Sequence, residues 1–230
     1  MERHEAARPI GMNGHGVARG ENGAQRRDVL KAGIAGAAVA GFPAILRAAD
    51  IGKSIKVGLV GCGGRGTGAA SQALRADDYS VLTAVADVDP ARIERALTSL
   101  NRVMKDRAAE KVKVEDSKKF LGLDAYQKVI DSGVDVVLLA TPPGFRPHHY
   151  KYAVQAGKNV FVEKPVAVDA PGVRSVLEQS VIAQQKGLNV IAGFCWRYSN
   201  YIVDTFDQVL KNGAIGDVVA YYANYYTSPV

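Results

Sequence analysis

Cysteine is scarce in this 230-residue chain, which has only Cys62 and Cys195. Two thiols build no disulfide framework, and no metal-ligand spacing is present, so neither a crosslinked scaffold nor a metal centre is expected. Cys62 lies inside a glycine-rich turn and Cys195 follows a late strand-like run, so both read as small buried or pocket-edge thiols. A long basic run is also missing. The net charge of +6 and pI of about 9.3 invite a nucleic-acid reading. Half of that charge, however, sits in residues 1–49, where Arg3, Arg8, Arg19, Arg26, Arg27, Lys31 and Arg47 face Glu2, Glu5, Glu21 and Asp28. The body of the chain has no basic-aromatic stripe, so no nucleic-acid partner is expected. There is no comfortable bilayer span either. The apolar N-terminal stretch Ala32–Leu46 is rich in Gly and Ala, is broken by Pro43, and is short of the ~20 residues a spanning helix needs.

That stretch follows Arg26-Arg27-Asp28-Val29-Leu30-Lys31, and the combination resembles a bacterial twin-arginine export signal. Residues 1–49 are therefore expected to be a leader that directs the protein to the periplasm. Cleavage near Ala48 or Ala49 leaves no stable membrane insertion, although Arg47 fits poorly in a small-residue cleavage site. A leader that does not function leaves the protein in the cytoplasm.

From Ser54 onward, strand-like and helix-like runs alternate, which predicts a Rossmann-type α/β domain, a doubly wound parallel sheet, over 54–194. Strands are expected at Ile55–Val60, Ser80–Ala86, Val112–Val114, Val134–Ala140, Asn159–Val162 and Leu188–Gly193. Asp89-Pro90 reads as N-cap and first residue of a helix whose core stripe is Ile93, Leu97, Leu100 and Met104. After Ala170-Pro171 a second helix is expected to turn Val173, Val176, Leu177 and Val181 to one face. Residues 195–230 read as the incomplete start of a second, open-sheet α/β domain, with a helix over Asn200–Leu210 and a strand over Asp217–Tyr226.

The candidate chemistry gathers at the carboxyl ends of these strands. Gly61-Cys62-Gly63-Gly64-Arg65-Gly66 lies between a strand and a helix, the context the dinucleotide fingerprint requires. The first glycine serves the tight turn, the second the approach of the backbone to a pyrophosphate, and the third close helix–strand packing. Asp87 stands where an acid bonds the ribose hydroxyls and repels a 2′-phosphate, favouring NAD with NADP possible. Arg92 is placed to lie against adenine or to meet a 2′-phosphate. Thr141-Pro142 ends the fourth strand, and His148 and His149 open the next helix, with His148 a candidate cofactor contact. Glu163-Lys164-Pro165 ends the fifth strand, where a lysine beside a nicotinamide can share or take a hydroxyl proton, with Glu163 expected to hold its ammonium. Trp196-Arg197-Tyr198 follow the sixth strand and can stack on and hydrogen-bond a polyhydroxy substrate.

Gly61–Gly66, Asp87, Ala140-Thr141-Pro142, Ala156-Gly157-Lys158, Glu163-Lys164-Pro165 and the turn Gly213–Asp217 together resemble the Gfo/Idh/MocA oxidoreductase family over about Ser54 to Tyr226. The resemblance implies a Rossmann domain, a C-terminal open-sheet domain, and NAD(P)-dependent oxidation or reduction of sugars, cyclitols or related polyols, with Lys164 catalytic. It also implies a homo-oligomer if the second domain is complete. Asn159 replaces a His often seen after Gly-Lys, and the family's substrate-domain Asp and His would lie beyond Val230. Two alternatives stay open: an NAD-dependent glycoside hydrolase using transient oxidation, and a non-catalytic truncated nucleotide-binding homologue.

Overall fold

Six short runs rich in Val, Ile, Leu and Ala form a single parallel sheet in the computed structural model, which describes residues 53–224 and 226. The expected leader, residues 1–49, lies outside the described residues. In chain order the elements are β1 (Ile55–Val60), α1 (Gly64–Ala76), β2 (Ser80–Asp87), α2 (Pro90–Met104), α3 (Ala108–Lys111), β3 (Lys119–Leu121) and α4 (Ala125–Asp131). There follow β4 (Val136–Leu139), α5 (Arg146–Gln155), β5 (Asn159–Val162), α6 (Ala170–Gln185), β6 (Val190–Ala192) and α7 (Asn200–Phe206). The sheet order is β3-β2-β1-β4-β5-β6 with every pair parallel.

Successive strand side chains point to opposite faces, and here both faces are covered. On one face Val57, Leu59, Leu82, Val85 and Leu138 pack against Ala70 and Leu74 of α1 and Ile93, Leu97, Leu100 and Met104 of α2. On the other, Val60, Ala86, Val137, Leu139, Val160 and Val162 pack against Val129 and Ile130 of α4, Tyr150 and Val154 of α5 and Ala183 of α6. Asp89 caps α2 as its sequence predicts, its side chain accepting from the Ala91 N–H at 2.8 Å with Pro90 at the first helical position.

Four expectations need correction. The third strand is Lys119–Leu121, paired to Val85–Asp87; Val112 contributes only an isolated bridge to Leu82. The intervening residues are taken up by α3, whose Lys111 is pulled inward. On α6 the buried face carries Gln179 and Ala183, while Val173, Leu177 and Val181 stand exposed. Val176 of the expected stripe does pack against the core, and α5 lies close alongside, the Tyr150 hydroxyl 3.1 Å from Ser180 Oγ. Residues 217–224 form no strand and are exposed, since among the described residues no neighbouring strand pairs with them. Cys195 is exposed rather than buried, because β6 ends three residues earlier and the chain turns out over Cys195–Tyr198.

Candidate cofactor and active site

The chain leaves β1 for α1 on one face of the sheet and leaves β4 for α5 on the other, so a crevice opens between the carboxyl ends of these neighbouring strands. Both strand ends are pinned: the Gly61 N–H donates to Ala86 O at 2.8 Å and the Ala140 N–H to Val60 O at 2.9 Å. The crevice holds a cleft of about 420 Å³. Its walls are Gly61, Gly63–Gly66, Asp87 and Arg92 on one side, and Thr141, Pro142, Phe145, Arg146 and His149 on the other.

The glycines answer to separate steric demands. Gly61 has φ +96°, and a Cβ there would lie 2.8 Å from Thr141 N. At Gly66 a Cβ would lie 1.8 Å from Gly61 O, so α1 could not approach the turn with any larger residue. Gly63 and Gly64 differ in that a Cβ at either meets nothing within 4 Å, so both face open space. No side chain caps the N-terminus of α1, leaving its first N–H groups and dipole free for an anion. A pyrophosphate fits this cradle.

Asp87, nine-tenths buried, does double duty. One oxygen accepts the Cys62 N–H at 2.7 Å and the other accepts the N–H groups of Val88 at 2.8 Å and Asp89 at 3.1 Å. A carboxylate offers about four acceptor sites, so room for a ribose hydroxyl remains. The Cys62 side chain does not line the cleft. It is buried in the core beneath the turn, and burial, with the Asp87 charge adding, pushes its thiol up to about 12. Cys62 therefore serves through its backbone. Arg92 borders the cleft but leans on Asp89, Nε to Oδ2 3.7 Å.

Across the cleft it is His149, not His148, that enters the site. The α5 register turns His148 to solvent and buries His149 against Tyr126, with ring centroids 4.1 Å apart and Nδ1 3.1 Å from Thr141 Oγ1. Burial, with a smaller contribution from His148, pushes the His149 imidazole down to about 4, so it is neutral at pH 7. It is a wall of the cleft and a hydrogen-bond partner of Thr141.

At the end of β5 the expected Glu163–Lys164 ion pair is absent. Glu163 is buried and turns to the fingerprint, where Arg65 Nε donates to Oε1 at 2.6 Å and Arg65 also stacks over Phe161 at 5.8 Å. Lys164 stands exposed; its N–H donates to Glu163 Oε2 at 3.2 Å and its ammonium makes no bond within the described residues. Trp196, Arg197 and Tyr198 lie on the same edge beyond β6, exposed and outside the cleft wall, with Arg197 over the Phe194 ring. Arg146, not among the residues expected at the site, is a buried guanidinium that donates to the Pro165 carbonyl. A signal existed: a cation in the first turn of a helix opposes the dipole and needs another reason to be there.

This sheet order, with a glycine turn and an uncapped helix end at the crossover and an acid closing β2, defines a dinucleotide-binding Rossmann domain. The profile of the Gfo/Idh/MocA oxidoreductases, an oxidoreductase family with an NAD-binding Rossmann fold, matches residues 55–194, and the chain belongs to that family. Inositol 2-dehydrogenase 4 of Saccharopolyspora erythraea is 30% identical over 164 residues, which are 71% of this chain and 43% of that protein. Glycosyl hydrolase family 109 protein 2 of Shewanella sp. strain ANA-3 is 26% identical over 166 residues, 72% of this chain and 34% of that protein. Among solved structures, scyllo-inositol dehydrogenase from Lactobacillus casei with bound NAD(H) and scyllo-inositol has a TM-score of 0.54 at 27% identity, covering 72% of this chain and 43% of that one. This chain thus spans less than half the length of these relatives.

Proposed function

We propose that the protein is an NAD-dependent oxidoreductase that moves a hydride between nicotinamide and a sugar, cyclitol or related polyol. The observation that carries this reading is the placement of Lys164. Among the described residues its ammonium is uncommitted at the carboxyl end of β5, while the preceding residue is tied to the cofactor turn through Arg65. When bound, the nicotinamide ring supplies the hydride acceptor. Gly63, Gly64 and the α1 end hold the pyrophosphate, Asp87 receives a ribose hydroxyl, and Lys164 polarises or deprotonates the substrate hydroxyl. Asp87 repels a 2′-phosphate and Arg92 is engaged by Asp89, which favours NAD over NADP. The inositol dehydrogenases among its relatives support a cyclitol or sugar substrate.

Nicotinamide absorbance of the full-length polypeptide, followed across a panel of sugars and inositols, tests the proposal. Turnover is expected with at least one polyol, and Lys164→Met is expected to lower kcat by about 10²–10⁴-fold while NAD binding is kept. No redox change with any of them would sink it. The Shewanella relative supports a second reading, a glycoside hydrolase that oxidises its substrate transiently and regenerates NAD. Glycosidic cleavage without net NADH would favour that reading. Export by the twin-arginine route belongs to the same proposal and is supported by Arg26-Arg27 ahead of the short apolar stretch.

A further inference from the structure

Among the helices that begin at the carboxyl edge of the sheet, α1 and α5 each carry an arginine in the first turn, Arg65 and Arg146. Neither first turn holds an acid, so both cations oppose the helix dipole. Glu163 answers this charge. It is buried, paired with Arg65 at 2.5 Å, and close enough to Arg146 to counter the fall that burial imposes on that guanidinium. A Cβ at Gly193 would lie 2.6 Å from Glu163 Oε1, so the residue after β6 has to be glycine to leave room for the carboxylate.

Arg146 is buried to 6% exposure, yet among the described residues it makes one hydrogen bond, to the Pro165 carbonyl, and its Nε has no partner. A guanidinium with five donors is costly to hold in this way, and its bond to Pro165 is the contact that offsets part of that cost. Together the contacts bracket Lys164. On one side the Glu163 N–H donates to Leu139 O at 3.0 Å and its carboxylate accepts the Lys164 N–H; on the other, Arg146 holds the carbonyl of Pro165. The main chain is fixed on both sides of Lys164 while its ammonium stays uncommitted.

We propose that Arg146 is a positioning residue for Lys164: it clamps the loop after β5 through the Pro165 carbonyl, with Glu163 and Arg65 as the opposing jaw. Arg146 also borders the nucleotide cleft, so one side chain is shared by the cofactor wall and the lysine loop. The inference rests on the oxidoreductase reading for its kinetic consequence, but the clamp itself does not require turnover.

The test uses the full-length protein with Arg146→Met and Arg146→Lys. Hydrogen exchange reads the clamp directly: the amides of Lys164 and of residues 166–168 are expected to exchange faster in both variants while those of β4 and β5 keep their protection. For kinetics, at saturating NAD the KM for the polyol is expected to stay within about threefold, while kcat falls by about tenfold or more in Arg146→Met. Arg146→Lys, which keeps a donor of shorter reach, is expected to fall in between. Unchanged exchange at Lys164 would overturn the clamp even if no polyol is turned over, an outcome that would instead count against the oxidoreductase reading. Loss of NAD affinity in step with kcat/KM would make Arg146 a cofactor contact and overturn the positioning role. Protection lost throughout both variants would likewise overturn it, by assigning Arg146 to global stability.

Discussion

His149 shows how a single residue acquires its character from its surroundings. Exposed, it would titrate near 6.5; at 5% exposure, stacked on Tyr126, it is pushed down to about 4. The unfolded chain therefore binds a proton between about pH 6.5 and pH 4 that the folded protein refuses. Stability is unaffected by this residue above pH 6.5 and falls as the pH drops through that window, by up to about 3 kcal/mol. His149→Gln is expected to flatten this part of the curve, measured as the urea midpoint at a series of pH values. An unchanged slope between pH 6.5 and pH 4 would show that the imidazole is not held neutral. The pair His148-His149 was legible as a site feature in the sequence, but which of the two faces the cleft depended on the register of α5. Lys164 and Asp87 were legible because strand-end positions after a fingerprint are defined by chain order alone. The Arg65–Glu163 pair was not, because its partners are 98 positions apart.

Among the elements, α3 gives the clearest example of tertiary structure overriding local pattern. Residues 105–119 are charged and irregular and read as a surface excursion. Yet Lys111 is 2% exposed, its ammonium donating to the carbonyls of Asp77 at 2.6 Å, Asp78 at 2.9 Å and Ser80 at 3.0 Å. These carbonyls lie where α1 gives way to β2, so one side chain closes a turn that neither helix nor ladder satisfies. Burial, with Arg107 adding, pushes the ammonium below its ordinary range, while the nearby acids oppose that shift. Lys111→Met is expected to lower stability by about 2–3 kcal/mol by leaving buried acceptors unpaired. The urea midpoint should fall with little change in slope, and a loss below about 0.5 kcal/mol would mean that water replaces the lysine. The order of strands and helices was legible from alternation and caps. The third strand and the exposed Val173, Leu177 and Val181 of α6 were misread because one depends on which segment reaches β2 and the other on which face of the helix docks on the sheet.

At the scale of the whole molecule, the nucleotide cofactor and the proposed twin-arginine leader fit together, since export of a folded protein would allow the cofactor to travel already bound. Fusion of residues 1–49 to a folded reporter is expected to send it to the periplasm of a bacterium with a twin-arginine pathway, and replacing both Arg26 and Arg27 with lysine is expected to stop it. Equal export of the two fusions, measured by fractionation, would remove the leader from the proposal. What the sequence determined by itself is local: the fingerprint turn, the Asp89 cap, and the succession of strands that puts Asp87, Thr141 and Lys164 at the carboxyl ends. Each of these follows from residues within a few positions of one another, where sterics, caps and period decide. Only the tertiary structure decided the partners. Glu163 turned from Lys164 to Arg65, His149 rather than His148 entered the cleft, and Arg146 reached Pro165. These contacts depend on the spacing of β1, β4 and β5 and the helices docked on them, and burial leaves each polar group few partners to choose from.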